Sequence, residues 1–447
     1  MPNFLTQDGL PIAASSQATV NDVDRFSAAL LAFSDQADVI LKAADDDPDC
    51  PLAQAYAAMF HASADTNEGF EMAQTYLARA QAAQGPASPR EQAIVAAAEA
   101  SCGRNLAKAA AIFEQVLDDN PSDILSAKWA QGMHFECGNA PGILRAPLKV
   151  AKHCDDNAHL HSMLAFGYEE CHLLEQAEQA VHRSLQLDRT AAWAHHAMAH
   201  ICEGRNTLDI GLQFLDEYSD TWVGLMPFMS THNWWHRCLF LIDLNRGEEV
   251  WDVFYNQVWA TDKNMAQPQI NAISLLYRLE RTGIEVKQTI WDDIANHVKQ
   301  NADSQASVFL DLQFLYAIAR SDMQAANAML DRMRTKAEKV KTADEIPWNK
   351  VAVVAGPAIV ALANREYSKA ADLFALSRAS MSAIGGSHAQ RDLMTLFYID
   401  ALRGAGRWEK VQQLLVGRNR ARPKTSWIST QLCEAYNNLG LGDAIKL

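Results

Sequence analysis

Apolar residues recur along almost the whole chain at intervals of three and four, the period of a helix with one buried face. The first such run covers Asn21 to Ala44, with Phe26, Leu30, Leu31, Val39 and Ile40 on the pattern, and stops where DDDPDC reaches Pro48. Further helices are predicted at about 51 to 63, 68 to 84 and 90 to 103. The last opens after Ser88-Pro89, a cap followed by proline in the first turn. Alternating Val/Ile/Thr runs bounded by Asn-Gly or Asp-Gly turns are missing, so no sheet is predicted. The pattern also repeats. In NLAKAAAIFEQVLDDNPS a small residue, Ala109, is followed four later by Phe113 and twelve later by Pro121. The same frame returns as Ala177 with Val181, as Ala370 with Phe374, and as Val411 with Leu415 and Pro423. A small residue at that place lets two helices approach closely, as in the second helix of a tetratricopeptide unit. The expected fold is all-α, a right-handed α-α superhelix of about ten or more helix pairs in one domain spanning residues 1–447. Within it we read a lead (1–19), N-terminal repeats (20–187), central His/Trp-rich repeats (188–260) and C-terminal repeats (261–447).

Composition narrows the function classes. The 447 residues are 49% hydrophobic, in the globular range, and 54 acids against 39 bases give a net charge of −15. That balance disfavours nonspecific attraction to nucleic acid or to an anionic membrane, so neither is expected as a partner. Eight cysteines stand singly without CxxC pairs and read as reduced thiols of a cytoplasmic protein. No run approaches 18 apolar residues, and the first residues lack a basic segment followed by an apolar core.

Candidate chemistry concentrates in the centre. Ten of the 14 histidines lie between His153 and His236. His196 and His200 are four apart, as are His232 and His236, so each pair shares a helix face; both pairs are offset by 36 residues (232 − 196 and 236 − 200), close to one repeat. Framed by the repeat, Trp193, His196, His200 and Glu203 take the second, fifth, ninth and twelfth positions of a first helix. Those positions face the groove in tetratricopeptide proteins. Equal offsets are expected to bring all four histidines to one wall, with Glu203 adjoining. They are candidate catalytic groups, and candidate ligands of a divalent metal that nothing in the sequence requires. Hydrogen bonding among groove histidines explains the same pattern without chemistry. HExxH is absent, which disfavours a zinc protease. Trp234 and Trp235 fall at helix-packing positions, whereas Trp193 is the better ligand contact. In GGSHAQRD, Ser387 is a candidate N-cap whose helix start could hold an anionic ligand, with His388, Gln390, Arg391 and Asp392 in the first turn, while Asp311, like Glu203, is a candidate carboxylate in support of the histidines. The alternative there is a plain helix turn with an Arg391–Asp392 salt bridge. The acidic run Asp45 to Asp47 reads as a solvated connection.

Four stretches, DGLPIAASS, AWAHHAMAHICEGR, HNWWHRCLF and GGSHAQRD, resemble the tetratricopeptide repeat protein 38 family, a set of intracellular helical-repeat proteins, over about residues 5 to 440. The resemblance implies a fold more than a reaction. The family pattern has a histidine two residues after the aspartate of FLDLQF, where this chain has Gln313 after Asp311. Two functions are expected to compete. One is an enclosed His/Trp/Glu pocket binding a small molecule, with histidine acid/base or metal-assisted catalysis as an option. The other is an interaction scaffold taking a partner peptide or helix. Grooves for peptide carboxylates favour Lys, Arg and Asn, and this wall is His, Trp and Glu, so the sequence leans to the pocket.

Overall fold

Helix follows helix because each apolar stripe is buried on its sequence neighbour. In the computed structural model, which describes residues 4–83, 85, 87–341, 345–422 and 425–442, there are 23 α-helices among the described residues. The chain forms two compact units. One comprises Met1–Met198, Asp220–Met229 and Lys341–Asp344; the other comprises Ala199–Ser219, Ser230–Val340 and Glu345–Leu447.

In the first unit the helices Pro51–Ala62, Asn67–Ala82, Pro89–Cys102, Leu106–Asp119, Ile124–Glu136, Ala140–Val150, Ala158–Glu170 and Leu174–Leu187 pack in succession. The small-residue frame sits inside these pairs: Ala109, Phe113, Ala177 and Val181 are fully buried. Pro89–Cys102 starts with a full capping box, the Ser88 side chain accepting from Glu91 N–H and Glu91 accepting from Ser88 N–H. The run read as one helix over 21–44 is divided. Gln17–Ala32 ends where Phe33 turns left-handed (φ 56°), and the chain resumes through a 3-10 turn into Val39–Asp46.

The absence of a sheet is also corrected. Phe4–Leu5 pairs antiparallel with Pro11–Ile12 around a turn whose Gly9 has φ 74°. This ribbon leads into DGLPIAASS, which is tied down by buried acids. Ala13 N–H donates to Glu91 (2.8 Å), Ser15 N–H and the Thr19 hydroxyl donate to Asp47 (2.7 and 2.9 Å), and Arg90 pairs with Asp123 (2.7 Å). Asp47 is 1% exposed, so the end of the acidic run is an internal anchor and not a solvated connection.

The second unit repeats the scheme. Gln288–Asn301, Val308–Ser321, Met323–Lys339, Val353–Ala363, Tyr367–Ser377, His388–Gly404, Trp408–Ala421 and Ser426–Asn438 pack on their neighbours, with Ala370, Phe374, Val411 and Leu415 buried between them. Pro423, the last member of the repeat frame, lies outside the described residues. The architecture is an all-α helical repeat of the tetratricopeptide kind.

Candidate functional site

Helix Ala192–Arg205 carries Trp193, His195, His196, His200 and Glu203, and helix Pro227–Asp243 carries His232, Trp234, Trp235 and His236. In the first unit, Trp193 is 8% exposed within an aromatic group. Its ring lies 5.1 Å from Phe33, 4.7 Å from Phe166 and 4.3 Å from His196, stacked on the last. The Lys128 ammonium sits over the same rings, 3.8 Å from Phe33 and 4.7 Å from Trp193, and burial pushes its pKa down to about 7. His195 is fully buried. Its Nδ1 accepts from Trp222 Nε1 (3.2 Å), so Nε2 carries the proton and donates to Arg189 O (2.9 Å). Glu169 and Glu170, adjacent buried carboxylates of this unit, are functional candidates that the sequence reading passed over.

In the second unit the structure brings His200, His232, His236 and His388 into one file of rings. Centroids are 4.9 Å apart for His232 and His236, 4.6 Å for His236 and His200, and 5.0 Å for His200 and His388. His232 also stacks on Trp235 (5.0 Å), which is core, while Trp234 is half-buried with Arg237 over its ring. Desolvation lowers the His232 pKa to about 4, which leaves a neutral imidazole at neutral pH. His200 Nδ1 and His388 Nε2 are 3.3 Å apart. Two nitrogens at about 2.0–2.1 Å on a tetrahedral zinc ion are roughly 3.3–3.4 Å apart, so this pair matches one edge of such a site.

The helix that supplies His388 is capped from within. Ser387 Oγ accepts from Gln390 N–H (3.2 Å) and Gln390 Oε1 accepts from Ser387 N–H (3.0 Å), so this pair of groups already satisfies one another. Arg391 donates to the carbonyls of Gly385 and Gly386, and Asp392 is held by both terminal nitrogens of Arg418 (2.6 and 2.8 Å). Burial raises the Asp392 pKa, but Arg418, Arg278 and Arg422 outweigh it and keep the carboxyl below the usual range. Asp311 is buried on Val308–Ser321, and Gln313 turns its amide back to Phe309 O (3.2 Å).

Beyond Glu203 the polar seam continues through residues with no obvious sequence motif. Arg422 bridges Glu203 and Asp243 (3.1 Å to the latter), Trp427 Nε1 donates to Asp243 (2.9 Å), and Arg281 pairs with Asp400 (2.7 Å). Arg278 and Arg281 do carry a signal: two arginines three apart in the last turn of a helix, directly after the apolar run Leu275, Leu276 and Tyr277. Glu203, Asp243, Arg278, Arg281, Arg422 and Trp427 border a cleft of about 390 Å³ including its open mouth, whose narrow interior, about 20 Å³, takes about one water.

A second hollow of about 290 Å³ lies on the other side of Asp243. It is formed at two equivalent helix ends, where Asn206 (φ 56°) and Asn245 (φ 61°) turn left-handed and the following amides return to Cys202 O (2.9 Å) and Leu241 O (2.7 Å). Ile210, 63% exposed, stands on its rim. Asn206 and Thr425 are among its lining residues, and Asn206 Oδ1 and Thr425 Oγ1, both shielded from solvent, have no hydrogen-bond partner.

No family model matches the chain. Among solved structures it is similar to the human IFIT1 dimer with PPP-AAAA, at 11% identity over 84% of each chain with a TM-score of 0.40. It is also similar to Naa15/Naa10 bound to HypK-THB, at 12% identity over 96% of this chain and 67% of that one, with a TM-score of 0.25. No described helix is long and apolar enough to cross a membrane.

Proposed function

We propose that this chain is a helical-repeat binding protein that takes an extended peptide segment of a partner in the hollow between the Asn206 and Asn245 helix ends. We further place it with the tetratricopeptide repeat protein 38 family, on the four stretches that resemble it. The observation that carries the binding reading is the hollow itself, whose lining residues Asn206 and Thr425 each hold a shielded oxygen with no hydrogen-bond partner. A shielded oxygen without a donor costs about 1–3 kcal/mol, and a rotation of the Asn206 side chain into the hollow lets a peptide backbone N–H supply the missing bond. Ile210 offers an apolar contact beside them. Size favours this hollow as well, since its 290 Å³ admits a partner's side chain, whereas the interior of the cleft beside Glu203, about 20 Å³, does not. Selection of a displayed peptide library on the purified chain tests the reading. Selected peptides should lose about tenfold or more in affinity on Asn206→Ala or Ile210→Glu and keep it on His200→Ala. Failure to select any peptide, or binding that ignores both groove substitutions, would overturn it.

A second reading, a small ligand or metal held by the histidine file, is favoured by one observation, the 3.3 Å separation of His200 Nδ1 and His388 Nε2. Elemental analysis of protein purified without a His-tag distinguishes a metal from hydrogen-bonded imidazoles.

A further inference from the structure

Among the cations of the first unit, Lys128 is met by aromatic rings and by nothing negative. It is carried on helix Ile124–Glu136 and is half-buried, with Nζ 3.8 Å from the centre of the Phe33 ring and 4.7 Å from that of Trp193. Among the described residues no carboxylate lies within 4.0 Å of Nζ and no acceptor bonds to it, yet Nζ is not one of the partnerless polar atoms sealed from solvent. The surroundings are aromatic: Phe228 stacks on Phe33 at 5.8 Å, and Phe166 lies 4.7 Å from Trp193. A cation–π contact returns about 0.5–2 kcal/mol, less than the several kcal/mol that a desolvated, unpaired ammonium costs. Burial therefore shifts the amine toward its neutral form, with a pKa of about 7. His159 is near enough to feel the Lys128 charge; burial first, and then Lys128, lower its own pKa to about 4 against the pull of Asp188.

A neutral amine that reaches solvent and spends its lone pair on no hydrogen bond is a nucleophile, the state in which lysines attack carbonyl carbons. We propose that Lys128 is a covalent site for a neutral, apolar aldehyde, held as a Schiff base. Nζ adds to the carbonyl carbon, forming a C–N bond. Both amine hydrogens then leave with the carbonyl oxygen as water and a C=N bond remains; no oxidant or reductant is consumed, and hydrolysis reverses the step. The product suits its surroundings better than the ammonium does. An unprotonated imine has no charge to bury, and its hydrocarbon substituent packs on Phe33 and Trp193. The same surroundings select the aldehyde. A carboxylate or phosphate on it would meet the negative faces of the rings and no second cation, since no other charge acts on Lys128 strongly enough to shift its pKa. Lys128 belongs to the first unit and the lining of the peptide hollow to the second, so neither site depends on the other.

Treatment of the full chain at pH 7 with benzaldehyde and sodium cyanoborohydride, which reduces an imine to a stable amine, tests the site once the protein is digested and its peptides are weighed by mass spectrometry. Lys128 should be labelled about tenfold or more faster than Lys42, whose side chain is 66% exposed, because an ordinary lysine amine is only roughly one part in 2,500 neutral at that pH. Glyoxylate, an aldehyde that carries a carboxylate, should lose this preference for Lys128 over Lys42. In Lys128→Met, with unchanged circular dichroism, the fast phase of benzaldehyde labelling should vanish. Should that variant fail to fold, the site-resolved labelling of the native chain decides alone. Two results overturn the proposal: benzaldehyde labels Lys128 no faster than Lys42, or glyoxylate shows the same preference as benzaldehyde, which would make Lys128 a reactive amine without selection for an apolar aldehyde.

Discussion

Acidification should unfold this protein partly through one imidazole, His195. It is fully buried, and both nitrogens are committed in one tautomer: Trp222 donates to Nδ1, and Nε2 donates to Arg189 O. Adding a proton to Nδ1 would set two N–H groups against each other at 3.2 Å. Desolvation accordingly lowers the pKa from 6.5 to about 4. The folded-state pKa is below the unfolded one, so the unfolded chain binds more protons between pH 6.5 and 4. Stability is complete above about 6.5 and is lost as the pH falls toward 4. At about 1.36 kcal/mol per pKa unit the full effect is roughly 3 kcal/mol, and between pH 7 and pH 5 it is about 2 kcal/mol. The assay is urea unfolding of the native chain and of His195→Gln at both pH values, where the glutamine amide can still donate toward Arg189 O. The native chain should lose about 2 kcal/mol more than the variant on going to pH 5, because every other titrating group cancels in the difference. Equal losses would refute the assignment of a neutral, acid-sensitive His195.

Three further outcomes are expected. The Lys128 amine, with its pKa near 7, should be acylated half-maximally near pH 7 in the folded protein, and a labelling midpoint near 10 would contradict its burial against Phe33 and Trp193. Asp123→Asn should cost about 3–5 kcal/mol in denaturant unfolding, because it strands the Arg90 guanidinium, whose side chain is 7% exposed; a loss under 1 kcal/mol would mean that water reaches it. Gly386→Ala should cost about 1–3 kcal/mol, since φ is +77° and the new Cβ would lie 2.7 Å from Phe309 Cε2; an unchanged unfolding midpoint would show that the turn can rearrange.

Local features were the legible ones. The Ala109–Phe113 frame and the Ser88-Pro89 start depend on residues a few positions apart, so pattern alone finds them. The break at Phe33 was hidden, because an aromatic residue seldom takes φ 56° and gives no warning that it will. The ribbon was hidden for the opposite reason: two-residue strands are too short for period-two alternation to register, although Asp8-Gly9 marks the turn between them. Long-range polar partners were invisible. Arg278 finds Ala389 O across 111 residues and Arg422 finds Glu203 across 219, so neither separation leaves a trace in spacing. Asp47 looked solvated because its neighbours are acids, yet its fate was set by Ser15 and Thr19 some thirty residues earlier. The histidines could be nominated by their 36-residue offset, but the ring file and the committed tautomer of His195 required coordinates.

The central claim is that a partner segment is held at the Asn206 and Asn245 helix ends. Hydrogen exchange read by mass spectrometry, on the chain alone and saturated with a selected peptide, tests this most directly. The account predicts slowed exchange in the turns at residues 206–210 and 244–246 and at the start of Ser426–Asn438, with helix His388–Gly404 unchanged. Protection confined to residues 388–392 and 278–281, with the turns unaffected, would contradict it.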